Sequence, residues 1–219
     1  ENPPDVLFNY YVWANLQMLN HYRELKGLNT FHFAPHCGEI EGQDHLTSAF
    51  LLADAVAGGT QSLSHNPVLQ YLYYLAQIGI YSSPLCSNAE YVALRNNPFP
   101  EFLKRGLKVS LCTSDPLHYH HTDQPIVEEY GVAAKVFKLS MADMCEVSRN
   151  SVMTSSYPEE QKAKWMPNPE TALASMRRRF REHTLQAEEQ VLRDPVSQSG
   201  ILRCDLPTEY LDRHPNTEK

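Results

Sequence analysis

Apolar residues recur at helical intervals along most of the chain, and short apolar runs rich in β-branched residues interrupt them. Asn66 directly before Pro67 is typical of a helix start, because the asparagine caps the helix and proline fits its first turn. The run 108–113 is the clearest candidate for a buried parallel strand. The pattern predicts helices over residues 9–25, 44–56, 67–77 and 98–105, the last ended by Gly106, and strands over residues 30–33, 79–82 and 108–113.

Beyond residue 125 the pattern predicts helices alone. Ser140 followed by Asp143 has the spacing of a capping box, in which each side chain bonds the other residue's backbone. The chain becomes polar and proline-bearing at Asp194, which predicts an extended tail over 194–219. The other helices of this part are predicted over residues 125–139, 159–165 and 171–192.

Two motifs carry candidate chemistry, and each directly follows a predicted strand. The first is Pro35-His36-Cys37-Gly38-Glu39 and the second is Thr113-Ser114-Asp115-Pro116. A histidine three residues before a glutamate suits a zinc hydrolase, because neutral imidazole binds Zn²⁺ while the carboxylate transfers a proton. Barrel enzymes place their chemistry at such strand ends.

The two motifs resemble those of AMP deaminases, which are adenosine deaminase-like metal-dependent amidohydrolases, and the resemblance extends over residues 2–192. It implies an α/β fold: strands 5–8, the C-terminal half of a TIM-type (β/α)₈ barrel, followed by C-terminal helices within residues 1–193. Further runs that follow the family in order are residues 10–15, 67–72, 97–99, 128–140 and 143–152.

The resemblance also implies roles for individual residues. His36 matches a zinc ligand, Glu39 the group that protonates the purine, and Asp115 a contact to the purine. Two positions depart from the family: Ser114 stands where an aspartate binds zinc, and Gly58 stands where a histidine orients the attacking hydroxide. No segment resembles the first four strands, whose His-x-His pair completes the family's zinc site.

These departures predict a catalytically inactive AMP deaminase-like subunit that acts as a structural or interaction component of a larger complex. One imidazole cannot hold a catalytic zinc, so no cofactor is expected in the isolated chain, and zinc only if a partner supplies a His-x-His pair. The partner is expected to be another protein chain that completes or covers the half-barrel. Two alternatives stay open: one half of a split zinc-dependent AMP deaminase, which converts AMP and water to IMP and ammonia, or an adenine-nucleotide sensor.

Other histidines could in principle replace the lost zinc ligands. His65 follows Gly58 in the same loop, and three more histidines follow Asp115, but no carboxylate ligand is evident at a suitable spacing. The cluster is therefore interpreted as polar surface. Its members are His118, His120 and His121.

Charge and cysteine content limit the remaining functions. The net charge of −7 disfavours binding of nucleic acid through bulk charge, although four arginines in the last helix are a local candidate for RNA or an acidic protein. A solvated helix face is the favoured interpretation of these residues: Arg177, Arg178, Arg179 and Arg181. Five dispersed cysteines and the lack of long apolar segments predict a protein of a reducing, intracellular compartment with no membrane span.

Overall fold

A parallel three-stranded sheet lies at the centre of the described chain. The computed structural model describes residues 4–38, 44–90, 92–166 and 174–199. Val56, Ile80 and Val109 lie one in each strand and are fully buried, which explains why the strands consist of apolar and small residues. In sheet order the strands are β1 (Ala55–Ala57), β2 (Gly79–Ser82) and β3 (Val109–Leu111).

Helices connect the strands and continue after the last one, as the sequence pattern predicts. The helices that precede β3 in the sequence are α1 (Asp5–Leu25), α2 (Asp44–Leu52), α3 (Thr60–Ser64), α4 (Pro67–Ala76), α5 (Pro84–Glu90) and α6 (Phe99–Arg105). After β3 they are α7 (Pro116–Tyr119), α8 (Pro125–Val136), α9 (Met141–Thr154), α10 (Glu159–Trp165) and α11 (Ala174–Ser199).

The predicted helix boundaries with specific capping chemistry are confirmed. The Asn66 side chain accepts a hydrogen bond of 3.0 Å from the backbone N–H of Leu69. Ser140 and Asp143 form the reciprocal capping box at the start of α9. Gly106 ends α6 in the left-handed conformation.

Two predicted elements are wrong in part. The helix predicted over 44–56 ends at Leu52, and Val56 belongs to β1, because a continuous apolar run does not distinguish a helix from a short buried strand. Residues 30–33 form no strand; instead His36 makes an isolated parallel bridge to Ala57. The described sheet thus has three strands and one bridge, where the resemblance implied four strands.

The core is built by packing helices against the sheet. The Asn150 side chain of α9 donates a buried hydrogen bond of 2.9 Å to the carbonyl oxygen of Val109 in β3. The Tyr73 hydroxyl of α4 donates one of 2.9 Å to the carbonyl oxygen of Leu46 in α2. Because buried polar groups are stable only when paired, these bonds fix each helix in position. Other fully buried side chains include Leu63, Phe99, Phe102 and Val147.

The chain divides into two units, the first ending at Arg178 and the second beginning at Arg179. In the second unit the described residues form the remainder of α11, which runs to Ser199. Residues 194–199 are therefore helical, where an extended tail was predicted. The rest of that predicted tail lies outside the described residues.

Candidate functional site

The residues predicted to carry the chemistry follow the C-terminal ends of neighbouring strands. Backbone hydrogen bonds align these strand ends in one row. Backbone hydrogen bonds on either side of His36 form its bridge to Ala57. The Cys37 N–H donates to the Ala57 carbonyl oxygen at 3.1 Å. Gly58 N–H then donates to Tyr81 at 3.2 Å, and Cys112 N–H donates to Ser82 at 2.9 Å. The register therefore places residues 36, 58 and 112 at the same edge of the sheet.

His36 and Gly58, at one end of this row, differ in the side chains that they present. The side chain of His36 is exposed at the edge. Gly58 has a φ of +78°, in the left-handed region, and has no side chain that could orient a water. Its neighbour Gly59 must be glycine, because a Cβ there would lie 2.4 Å from the carbonyl oxygen of Cys37. Glu39, the predicted proton shuttle, lies outside the described residues.

The second motif lies at the other end of the row, after β3. The Ser114 hydroxyl is 2.6 Å from the hydroxyl of Ser83, which is buried and follows β2. Asp115 begins α7 but its side chain does not cap the helix. Its carboxylate is about half exposed, and its Oδ1 lies 4.0 Å from Nδ1 of His118, which is more exposed still. Such a pair contributes little to stability and leaves the Asp115 carboxylate accessible to solvent.

A buried cluster close to this edge was not foreseen from the sequence. His120 and Glu129 have no side-chain exposure, and His120 Nε2 lies 3.1 Å from Glu129 Oε1. The interpretation of the histidines as polar surface is therefore wrong for His120, although His118 and His121 are exposed. Cys86, His120 and Glu129 each offer one potential ligand atom, and these three atoms lie within 4.8 Å of one another. In the described part of the chain, this is the group of side chains that could hold a metal ion.

Packing of two helices against the loop after β3 creates the cluster. Glu129 lies on the buried face of α8, four residues before the fully buried Ala133. A charged residue at that helical spacing was the available sequence signal. The backbone N–H of Leu85 in α5 donates to Glu129 Oε2 at 3.1 Å. The sequence showed no carboxylate at a suitable spacing from the histidines. Glu129 supplies one from α8, the helix that begins after them.

Burial controls the titration of this region. Desolvation raises the pKa of the Glu129 carboxyl, and the hydrogen bonds from Leu85 and His120 oppose that effect only in part. Burial also raises the pKa of the Cys112 thiol to about 12, and the charges of Glu129 and Cys86 act in the same direction. Cys112 is therefore a neutral thiol at physiological pH.

Arg177, the first of the four candidate arginines in α11, makes two ion pairs. Arg177 bonds the carboxylate of Asp143, and its Nε lies 3.0 Å from Oε2 of Glu146. Both carboxylates belong to α9, so Arg177 joins the start of α11 to that helix. This contact supports the structural interpretation of Arg177 over a nucleic-acid contact.

Comparison with known proteins identifies the lineage of this scaffold. The sequence profile of the AMP deaminase family matches residues 1–197. The chain belongs to the AMP deaminase family. It is 48% identical over 167 residues to AMP deaminase 1 of Mus musculus, a match that covers 76% of this chain and 22% of the mouse protein. The chain thus spans about a fifth of the length of that relative.

Solved structures support the same barrel-type fold. Adenine deaminase from Arthrobacter aurescens superposes with a TM-score of 0.58 at 20% identity, covering 73% of this chain and 46% of that one. An amidohydrolase from Burkholderia ambifaria with bound Zn has a TM-score of 0.54 at 22% identity, covering 75% of this chain and 44% of that one. The described helices include none with the length and apolar character of a membrane span.

The zinc site that the family resemblance implies does not fit the residues that this chain places at the corresponding positions. His36 is the one matching ligand in the described strand ends, and Ser114 offers a hydroxyl that already has a hydroxyl partner. Stable zinc sites use several thiolate, imidazole or carboxylate ligands. A zinc bound at these positions would need ligands from outside this set.

Proposed function

We propose that this chain is a non-catalytic member of the AMP deaminase family that keeps the strand-end scaffold for interaction with another protein. The hydrogen bond between Ser83 and Ser114 carries the proposal. It satisfies the hydroxyl at the position where the resemblance implies a zinc-binding aspartate. The Ser114 hydroxyl therefore has a protein partner and does not depend on an ion for one.

The reaction would also lack its nucleophile. Zinc lowers the pKa of its bound water to about 7, and without this ion the nucleophile at neutral pH is water itself. Loss of a group that orients or deprotonates the nucleophile typically costs another ~10²–10⁴-fold in rate. Gly58 removes that group, so Asp115 would bind a purine without a reaction to promote.

The exposed apolar surface of α1 supports an interaction role. Side chains along this helix expose large fractions of their surface, including Met18 at 71% and Leu25 at 74%. Many large apolar side chains exposed along one helix are uncommon on isolated proteins, and such surfaces often bind further polypeptide. The other exposed members are Val6, Leu7, Phe8, Tyr10, Tyr11, Val12, Leu19 and Tyr22.

Measurement of AMP deamination by the full-length protein, purified with its native partners, tests the proposal. We expect no ammonia release above that of the uncatalysed reaction. Turnover in the ordinary enzyme range, about 1–10³ s⁻¹, would overturn the proposal if His36→Ala abolished it. His65→Ala is the matched control, because His65 is also exposed and directly follows α3.

The second candidate is one half of a split AMP deaminase. The position of His36 and Asp115 at one sheet edge favours it, since both are side chains that the resemblance assigns to catalysis. A His-x-His pair from elsewhere would have to complete the zinc site. Turnover that is lost in both His36→Ala and Asp115→Asn would establish this function in place of the first.

A further inference from the structure

Three side chains from separate elements meet below the sheet edge. Cys86 lies in the first turn of α5, His120 follows α7, and Glu129 lies in α8. Cys86 is 4% exposed, and the other two side chains are not exposed at all. Thiol, imidazole and carboxylate are the three ligand types that zinc prefers.

The separation between His120 and Glu129 is close to that of two ligands in a tetrahedral site. With Zn–N and Zn–O bonds of about 2.0–2.1 Å, neighbouring nitrogen and oxygen ligands lie about 3.3 Å apart. The His120 Nε2 to Glu129 Oε1 separation is 3.1 Å. A sulfur ligand, with a Zn–S bond of about 2.3 Å, would lie about 3.6 Å from each of the others. All three separations are at most 4.8 Å. The side chains would therefore have to move closer by at most about 1 Å to bind one zinc ion.

A simple hydrogen-bonded pair does not account for all the polar atoms of this cluster. If His120 Nε2–H donates to Glu129, the Nδ1 atom becomes an acceptor, and in the described structure it is buried without a hydrogen-bond partner. An unsatisfied buried nitrogen costs roughly 1–3 kcal/mol. A metal ion on Nε2 would instead make Nδ1 an N–H donor, which a buried water can satisfy.

We propose that Cys86, His120 and Glu129 form a structural zinc site, with a water or a fourth side chain completing the coordination. None of these residues occupies a position that the family resemblance assigns to metal. Binding would release the proton of the Cys86 thiol, and the resulting thiolate, with the Glu129 carboxylate, would neutralise the ion. The ion would join α5, α8 and the segment after α7.

The site would order the loop that carries Ser114 and Asp115. His120 follows Asp115 by five residues, and the intervening α7 is a single turn. Fixing His120 to two helices of the core would limit the movement of this loop, which has an exposed outer surface. The role is structural and independent of AMP turnover, so it stands or falls separately from the proposed function.

Titration of the metal-free full-length protein with Co²⁺ tests the site directly. We expect one equivalent of Co²⁺ to give a sulfur-to-cobalt charge-transfer band and the d–d absorption of tetrahedral coordination. Zn²⁺ should then displace the cobalt and abolish both. A metal held at the family positions by nitrogen and oxygen ligands would give no sulfur band, so the readout identifies the thiolate.

Cys86→Ser should remove the charge-transfer band and weaken Co²⁺ binding by at least the ~10–100-fold that follows loss of a supporting residue. Cys37→Ser is the matched control, because Cys37 is a similarly buried cysteine and belongs to the hydrophobic core. Glu129→Gln should weaken binding while keeping the size of the side chain.

Three results would overturn the proposal. These are absence of a sulfur band in the wild-type protein, retention of the band in Cys86→Ser, and equal weakening in Cys37→Ser. Zn²⁺ should also raise the melting temperature of the wild-type protein and leave that of Glu129→Gln unchanged. An equal rise in both proteins would place the ion elsewhere.

Discussion

The hydroxyl of Ser83, at the end of one strand, lies 2.6 Å from the hydroxyl of Ser114, beyond the end of the next. Ser83 is buried and Ser114 is exposed, so the bond connects the interior to the sheet edge. Both residues stand at positions from which an α/β barrel presents its chemistry. In this chain the pair contributes to stability.

Ser83→Ala and Ser114→Ala should each lower the free energy of unfolding by about 0.5–1.5 kcal/mol, because each removes the bond between the two hydroxyls. The double variant should lose less than the sum, with a coupling of at least about 0.5 kcal/mol in a double-mutant cycle. Urea denaturation measures all four proteins. Ser156→Ala, at an exposed position, is the control, and strict additivity would contradict the bond.

A second prediction concerns the close contact between Gly79 and Thr154. A Cβ on Gly79 would lie 2.6 Å from Thr154 Cγ2, which neither β2 nor α9 can relieve without moving. Gly79→Ala should therefore destabilise the protein by about 1–3 kcal/mol. Thr154→Ser removes the methyl group but keeps the hydroxyl that bonds Asn150, so the double variant should recover part of the loss. No recovery would indicate a different origin of the strain.

The capping box of α9 should make stability depend on acidic pH. Partial burial alone would raise the pKa of the Asp143 carboxyl, but hydrogen bonds from Ser140 and Arg177 outweigh it and lower that pKa. The ionised carboxylate therefore stabilises the fold above the unfolded-state pKa of about 3.9, and this contribution is lost as pH falls through the lower folded-state value.

Asp143→Asn should accordingly cost about 0.5–2 kcal/mol at pH 7, the range of a lost helix cap. The difference from wild type should shrink below about pH 4, as the wild-type carboxyl becomes protonated too. Denaturation at a series of pH values measures it. Asp123→Asn is the control, since Asp123 is exposed. A difference that stays constant with pH would refute the assignment.

Cysteine reactivity provides a fourth prediction. With a pKa of about 12, Cys112 is a thiolate in only about one molecule in 10⁴ at pH 8, and it is also partly buried. Cys145 is exposed on α9. Iodoacetamide should therefore modify Cys145 well before Cys112, as measured by peptide mass spectrometry. Equal rates in the folded protein would exclude the burial of Cys112.

Local chemistry made much of the fold predictable. Asn66, Ser140 and Gly106 end or begin helices through bonds to residues at most four positions away, and their predictions are confirmed. Val56 was assigned to the wrong element because β1 depends on its pairing with β2, which lies more than twenty residues further along. Strand formation requires such distant partners, and periodicity cannot supply them.

The same reasoning explains what was missed in the site. His120 was assigned to the surface from the polarity of its neighbours, yet α5 and α8 enclose it. The charge of Glu129 on a buried helix face was visible in the sequence, but its partner was not. The family resemblance pointed to residues at the strand ends. It assigned no role to Cys86, His120 or Glu129, which form the buried cluster.

The row of strand ends is held by main-chain hydrogen bonds, from Cys37 to Ala57, from Gly58 to Tyr81 and from Cys112 to Ser82. None of these bonds uses a side chain, so side chains such as those at positions 36 and 112 can be exchanged while the backbone stays in register. Architecture and chemistry are consequently under separate selection at this edge. A lineage can lose an activity there without losing its fold, and laboratory evolution can use the same edge to install another.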